Sequence, residues 1–131
     1  MSPKKILLVD DNPVFLKGMS MKLQKAGFEV LTAQHVSVAT GDLREAKPDL
    51  ILLDINFPPD MADAAGVFRD VFSTVEWLRR MGGASGIPVL LITGADSTQY
   101  TERARQAGAA GLLQKSCGTP ELMRTISQFL N

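Results

Sequence analysis

The chain has 131 residues, and its 14 Lys and Arg balance its 14 Asp and Glu, so the formal net charge is zero. This length predicts one domain, residues 1–131, with a single sizeable core, and the charge balance excludes the basic footprint of a nucleic-acid-binding chain. Cys117 is the only cysteine, which excludes an intrachain disulfide and suits a reducing compartment. The sequence has neither a signal-peptide pattern nor a run of about 20 apolar residues. We therefore expect a cytoplasmic protein that binds neither nucleic acid nor membrane.

Apolar runs predict five β-strands. The central runs are continuous rather than alternating, which is typical of strands that are covered on both faces of a sheet. The predicted strands are residues 6–9, 28–33, 50–55, 89–93 and 111–115.

Helical patterns separate these runs, and the first is the clearest. Asn12 and Pro13 supply an N-cap and a first-turn proline, and Gly27 is a natural C-terminal stop. The predicted apolar face of this helix consists of Phe15, Met19, Leu23 and Ala26.

Four further helices follow from spacing and capping signals. A weaker second helix covers 37–45, a third carries helical spacing from Val67 to Leu78, and a fourth opens at "DSTQ" (96–99) and ends at Gly108. The fifth opens at "TPEL" (119–122), with an apolar stripe of Leu122, Met123, Ile126, Phe129 and Leu130. Strand and helix alternate five times, which predicts an α/β domain with right-handed crossovers, a mostly parallel sheet and helices on both faces.

Polar side chains end four of the predicted strands, namely Asp10 and Asp11, then Asp54, Thr93 and Lys115. Because ligands bind beyond the carboxyl ends of parallel strands, we expect these residues to converge at one edge of the sheet. Three clustered carboxylates repel one another unless a cation is present, and their oxygen atoms suit Mg²⁺. Lys115 adds a positive charge for a phosphate and Thr93 adds a hydroxyl, so the cluster indicates phosphoryl transfer with Asp54 as the candidate nucleophile.

Four motifs in order, "LLVDDNP", "PDLILLD", "VLLITG" and "LLQKS", make the chain resemble a receiver domain of two-component response regulators, of the chemotaxis-regulator type. The 22-residue separation of Thr93 and Lys115 is also similar to that family. The resemblance covers essentially the whole chain. It implies a flavodoxin-like doubly wound (βα)5 fold with five parallel strands in the order 2-1-3-4-5.

The resemblance also implies roles for the polar residues. Asp54 would accept a phosphoryl group from the phosphohistidine of a histidine kinase or phosphotransfer protein. Asp11 and Asp54 would bind Mg²⁺ directly together with the backbone carbonyl of Asn56, and Asp10 would assist. Such a domain is a signalling module that catalyses only its own phosphotransfer and dephosphorylation.

Lys115 and Thr93 would carry the switch that follows phosphorylation. Lys115 would pair with the phosphoryl oxygens, and Thr93 would move toward them. The change would reach an output partner through the face formed by the predicted fourth helix, fifth strand and fifth helix.

Three features depart from the family pattern. Ser116 replaces the usual proline after Lys115, and we hypothesise that the Lys115–Ser116 bond is nevertheless cis, at a cost of about 2.5–4 kcal/mol. Leu112 replaces the usual aromatic residue, which puts the aromatic switch in doubt. The segment from Asp54 to Thr93 is longer than usual, with the extra residues within 57–86, and shortening 59–66 is expected to change phosphoryl lifetime or partner affinity.

Other functions remain open from the sequence. A degenerate receiver would act as a docking scaffold without phosphorylation, and Ser116 and Leu112 keep this alternative open. An aspartate-nucleophile phosphatase would carry Asp-x-Asp on its first motif, whereas Asp54 lies in "DIN" on the third strand. A flavodoxin-like mononucleotide binder would need a phosphate-binding first loop, whereas "DDNP" is acidic.

Overall fold

A single parallel sheet forms the centre of the chain. The computed structural model describes residues 3–10, 12–34, 45–54, 71–80, 86–93, 101–114 and 118–130, with no account of the side chains of 71–74, 77 and 119. Its strands are β1 (Lys5–Val9), β2 (Glu29–Ala33), β3 (Leu50–Asp54), β4 (Val89–Thr93) and β5 (Gly111–Gln114). They lie in the order β2-β1-β3-β4-β5, and every pairing is parallel, so the five strands, the fold class and the strand order are confirmed. The second strand begins one residue later than predicted, and the predicted strand residues 55 and 115 lie outside the described part of the chain.

Four helices lie within the described residues. They are α1 (Pro13–Lys25), α2 (Val71–Arg80), α3 (Thr101–Ala107) and α4 (Thr119–Leu130). Residues 45 and 46 are also helical, at the end of the predicted second helix. The predicted residues 37–44, 67–70 and 96–100 lie outside the described part of the chain, and none of the described helices is long and apolar enough to cross a membrane.

Strand alternation divides the core into two layers. Because successive side chains of a strand point to opposite faces, Ile6 and Leu8 pack on one side of β1, and Leu7 and Val9 pack on the other. The first layer is completed by α1 and α4 through Leu16, Leu23, Leu122, Ile126 and Leu130. The second layer is completed by α2 and α3 through Val75, Leu78, Ala104 and Ala107. The continuous apolar runs are therefore explained by helices on both faces.

Helix α1 begins and ends where the sequence predicts, but its buried face differs by one residue. Asn12 is the N-cap, and Gly27 follows the helix with φ of +99°, a left-handed conformation that glycine adopts without strain. Ala26 is exposed, because the helix ends at Lys25, so its predicted place in the apolar face is wrong. Leu16 takes that role and is only 5% exposed.

The outer face of α1 contains a glycine that packing does not require. Gly18 lies in the middle of the helix, where glycine is less favourable than alanine by about 1 kcal/mol. A Cβ at this position would meet no atom within 4 Å.

Backbone and side-chain groups are paired with each other at the amino end of the sheet. The Lys5 N–H donates to Asp49 Oδ2 at 2.8 Å, and the Asp49 N–H donates to the Lys5 carbonyl at 2.8 Å. Lys5 Nζ donates to the Ala46 carbonyl at 3.3 Å, and the Glu29 N–H donates to the Lys4 carbonyl at 2.9 Å. These bonds join the starts of β1, β2 and β3.

Candidate functional site

Two aspartates lie side by side at the opposite, carboxyl end of the sheet. Val9 pairs with Leu53 across β1 and β3. Asp10 and Asp54 are the residues that follow this pair, so they lie at the same level at the carboxyl end of the sheet. Neighbouring strands are separated by about 4.8 Å. Asp10 is 0% exposed and Asp54 is 4% exposed, so two carboxylate side chains are buried at one level on neighbouring strands.

The local turn after β1 positions Asp10. Its N–H donates to the Ala33 carbonyl of β2 at 3.1 Å, which continues the sheet by one residue. Its Oδ1 accepts a hydrogen bond from the Asn12 N–H at 2.9 Å, the pattern of an Asx turn. The carboxylate of Asp10 is therefore oriented by backbone contacts before any ligand binds.

Asn12 links this turn to α1. Its Oδ1 accepts hydrogen bonds from the Val14 N–H at 3.0 Å and the Phe15 N–H at 3.3 Å, which caps the helix. The sequence predicts the cap, but it does not predict that the Asn12 N–H also holds Asp10. An aspartate directly after a strand is the signal that could have indicated this bond, because an aspartate side chain accepts from the backbone N–H two residues on, whichever residue other than proline stands there.

Thr93 lies at the same edge, on the next strand. Asp54 pairs with Ile92 across β3 and β4, so Thr93 is one residue further along than Asp54, and it is completely buried. Ile92 packs in the layer with α1 and α4, and alternation therefore directs Thr93 toward the layer with α2 and α3. On β5, Thr93 pairs with Gln114, which is half-buried and was not among the predicted site residues.

The structure thus brings three of the six predicted site residues to one edge of the sheet, namely Asp10, Asp54 and Thr93. Asp11, Asn56 and Lys115 lie outside the described residues. The predicted cis bond between Lys115 and Ser116 and most of the lengthened segment 57–86 lie outside them as well. The roles of all six residues stay predictions.

The donor atoms at this edge fit a hard divalent cation. Mg²⁺ is bound in proteins through one or two carboxylates while it keeps several waters, and Asp10 and Asp54 supply two buried carboxylates at one level. Within the described ranges no group of three or more His, Cys, Asp or Glu residues could hold a metal ion, and the predicted ligand Asp11 lies outside those ranges. Two like charges buried together favour a cation between them, because burial without a counter-charge is costly.

The position of this pair defines the class of domain. The strand order reverses between β1 and β3, and open α/β sheets bind their ligands at such a switch point, beyond the carboxyl ends of the strands. Asp10 and Asp54 lie on the two sides of this point. The molecule is therefore a doubly wound, flavodoxin-like α/β domain with an acidic site at its switch point.

Comparison with known proteins gives the family. The family model described as response regulator receiver domain matches residues 6–127, and the chain belongs to that family. The predicted family is thereby confirmed, and the chain is a signalling domain of two-component systems.

Individual relatives agree over nearly the whole chain. The polar-differentiation response regulator DivK of Brucella anthropi is 28% identical over 128 residues, which cover 98% of this chain and 97% of DivK. Protein PilH of Pseudomonas aeruginosa is 29% identical over 126 residues, covering 96% of this chain and 97% of PilH. The solved structure of chemotaxis response regulator CheY4 of Vibrio cholerae has a TM-score of 0.81 at 29% identity and covers 98% of this chain and 99% of that one.

Proposed function

We propose that the chain is a phosphoacceptor receiver, in which Asp54 accepts a phosphoryl group from a histidine kinase or phosphotransfer protein and thereby switches the binding of an output partner. The observation that carries this proposal is the buried pair of Asp10 and Asp54 at one level of the switch point. Family membership favours this function over an aspartate-nucleophile phosphatase or a mononucleotide binder.

The proposed reaction is a transfer between two acceptors. A carboxylate oxygen of Asp54 attacks the phosphorus of a phosphohistidine, a P–O bond forms, and the P–N bond breaks. The electron pair of the broken bond stays on the imidazole nitrogen, which leaves with the histidine, and the product is an acyl phosphate on Asp54.

The residues of this chain prepare the site for that transfer. Asp11 and Asp54, with the backbone carbonyl of Asn56, would hold Mg²⁺ directly, and Asp10 would assist. When bound, Mg²⁺ neutralises carboxylate and phosphoryl charge. The hydrogen bond from the Asn12 N–H to Asp10 Oδ1, 2.9 Å long, fixes one carboxylate in advance. Burial of Asp54 at the end of β3 limits the directions from which a donor can approach.

The response to phosphorylation follows from charge and packing. A phosphoryl group adds about −1.5 to −2 charges, to which the Lys115 ammonium and the Thr93 hydroxyl respond in the proposed switch. Thr93 starts on the side of the sheet covered by α2 and α3, so its movement would alter the packing of that layer. Leu112 is half-buried in the same layer and would repack where the family has an aromatic side chain. The output face would comprise α3, β5 and α4.

Labelling with a small phosphodonor tests the proposal. The protein is incubated with acetyl phosphate with and without Mg²⁺, and intact mass and hydroxylamine-labile phosphate are followed. We expect Mg²⁺-dependent labelling that Asp54→Asn abolishes. Asp49→Asn is the matched control, because it makes the same change at the amino end of β3 and should label normally.

Two results would contradict the proposal. Absence of Mg²⁺-dependent label in the native chain would leave only the scaffold that docks partners without phosphorylation. Label that survives Asp54→Asn unchanged would place the acceptor elsewhere.

A further inference from the structure

Gln114 is a polar residue beside Thr93 that the proposed function does not yet use. It is the last residue of β5, which lies at one end of the strand order. Gln114 pairs with Thr93 of β4, and neighbouring strands are separated by about 4.8 Å. Leu113 packs with α1 and α4, so alternation directs Gln114 toward the layer with α2 and α3. Thr93 and Gln114 therefore extend from adjacent strands at one level and on one face of the sheet.

The hydroxyl of Thr93 depends on partners within the protein. Thr93 is completely buried, so its hydroxyl is cut off from bulk water, and buried polar groups are hydrogen-bonded. The paired residues that precede it on this face, Leu91 and Leu112, are apolar. Alternation directs Asp54 toward the opposite layer, because the residue before Asp54 packs with α2 and α3. On its own face of the sheet, Thr93 therefore has Gln114 as its polar cross-strand neighbour.

The proposed switch requires the Thr93 hydroxyl to change partners. A threonine hydroxyl has one proton to donate, and the carboxamide oxygen of glutamine is an acceptor. The proton cannot be donated to Gln114 and to a phosphoryl oxygen at the same time. A bond to Gln114 would stabilise the arrangement that exists before phosphorylation, and it would lower the fraction of molecules that are ready to receive the phosphoryl group.

The position of Gln114 also suits it to report the change. Its side chain is half-buried, so it has access both to the interior and to the surface of β5, which belongs to the proposed output face. Leu112 has no polar atom that could follow the Thr93 hydroxyl, whereas a carboxamide has one acceptor and two donor hydrogens. A carboxamide that loses Thr93 is able to turn toward water and keep its hydrogen bonds.

We propose that Gln114 is a positioning residue for Thr93 and takes the part of the aromatic side chain that Leu112 replaces. Before phosphorylation, the Gln114 carboxamide oxygen accepts the hydroxyl proton of Thr93 and holds it on the side of α2 and α3. After phosphorylation of Asp54, Thr93 donates to the phosphoryl group, and the released carboxamide turns to the surface of β5. The proposal rests on the phosphoacceptor function proposed above.

A double-mutant cycle tests the proposal. The rate at which acetyl phosphate and Mg²⁺ label Asp54 is followed by intact mass in the native chain, Gln114→Met, Thr93→Val and the double variant. Gln114→Met keeps an unbranched side chain and removes the acceptor, so loss of one hydrogen bond should raise the labelling rate about threefold to tenfold. In the Thr93→Val background the same substitution should have no effect, because the partner hydroxyl is absent.

Further variants separate positioning from packing and charge. Gln114→Glu keeps an acceptor oxygen and should label no faster than the native chain. Gln24→Met makes the same change at an exposed position in the last turn of α1, so this matched control should label at the native rate. Thr93→Ala gives a second background without the hydroxyl. The thermal unfolding midpoint of every variant is recorded, since a purely structural role would change the rate equally with and without the Thr93 hydroxyl.

Three results would overturn the role of Gln114 alone. These are a native labelling rate in Gln114→Met, a slower rate in that variant, and the same acceleration in the backgrounds without the Thr93 hydroxyl. In each case the phosphoacceptor function still holds if the label requires Mg²⁺ and Asp54→Asn abolishes it. A native chain that takes up no label contradicts the phosphoacceptor function, and the role of Gln114 fails with it.

Discussion

The two ends of the same sheet are built on opposite principles. At the amino end, Lys5 and Asp49 exchange two hydrogen bonds of 2.8 Å that join β1 to the start of β3. At the carboxyl end of these two strands, Asp10 and Asp54 are buried at one level. Among the described residues, the polar or charged side chains that are buried are Asp10, Asp54 and Thr93, and all three lie at the carboxyl end.

The difference shows where the fold gains stability and where it keeps reactivity. The two hydrogen bonds between Lys5 and Asp49 stabilise the amino end, and they bury no pair of like charges. Burial of two like charges destabilises the carboxyl end unless a cation or another group compensates them. One end of the sheet can therefore contribute stability while the other end provides the ligand-binding site.

Replacement of either Asp10 or Asp54 should greatly weaken Mg²⁺ binding at the carboxyl end of the sheet. We expect Mg²⁺ at about 100 times its dissociation constant to raise the free energy of unfolding of the native chain by about 2.7 kcal/mol, because it binds the folded state only. Asp10→Asn and Asp54→Asn should each lose most of that gain. The measurement is urea denaturation with and without Mg²⁺. An equal Mg²⁺ effect in both variants and the native chain would place the cation elsewhere.

A substitution at Asp49 should affect only the amino end. Asp49→Ala removes the acceptor of the part-buried Lys5 N–H, and a buried donor without a partner costs about 1–3 kcal/mol, so we expect a loss of about 2 kcal/mol. Asp49→Asn keeps an oxygen at this position and should lose less. Urea denaturation gives both values. The Mg²⁺-dependent gain should be unchanged in both variants, and a reduced gain would show that the two ends are coupled.

Loss of the cap at Asn12 sharpens the comparison, because α1 begins at the carboxyl end. Asn12→Ala removes the acceptor of the Val14 and Phe15 N–H groups and should destabilise the fold by about 1 kcal/mol. Asn12→Ser should restore most of that loss. The hydrogen bond from the residue 12 N–H to Asp10 remains in both variants, so the Mg²⁺ dissociation constant should change little. A large change would mean that the cap itself positions Asp10.

The fold could be predicted because its signals are local and redundant. The central strands are continuous apolar runs, and the helices carry an N-cap, a first-turn proline or a glycine with positive φ, such as Gly27 and Gly108. The error at Ala26 has a physical cause. Helical spacing of four, four and three residues from Phe15 leads to Ala26, but the helix ends first, and the wide buried face includes Leu16 instead.

The candidate site could be predicted less completely. The first polar residue after each apolar run identifies the carboxyl edge of the sheet, so the sequence predicts that Asp10, Asp54 and Thr93 lie at one edge, where the structure places them. The run does not show the register between strands. As a result, the sequence does not predict that Thr93 lies one residue beyond Asp54 along the sheet. It also does not predict that the Thr93 side chain lies on the face covered by α2 and α3. Hydrogen bonds such as that of Asp10 to Asn12 depend on the turn geometry, which residue types only suggest.

An exposed ion pair provides the smallest expected effect and a reference for the buried acids. On α3, Arg105 Nε donates to Glu102 Oε2 at 3.1 Å, and this hydrogen bond lowers the pKa of Glu102. A lowered pKa adds stability above the pKa of the unfolded chain, and that stability is lost as the pH falls through the lowered pKa. The two side chains are 63% and 71% exposed, so solvent and salt screen the pair.

We therefore expect Glu102→Gln to leave the urea midpoint unchanged within error at neutral and at acidic pH. The measurement is the difference between variant and native chain at each pH, at low and at high salt. A pH-dependent difference that persists at high salt would contradict this expectation. It would mean that a surface carboxylate on the proposed output face contributes to the fold as the groups at the amino end do, and charge on α3 would then have to be counted as structural.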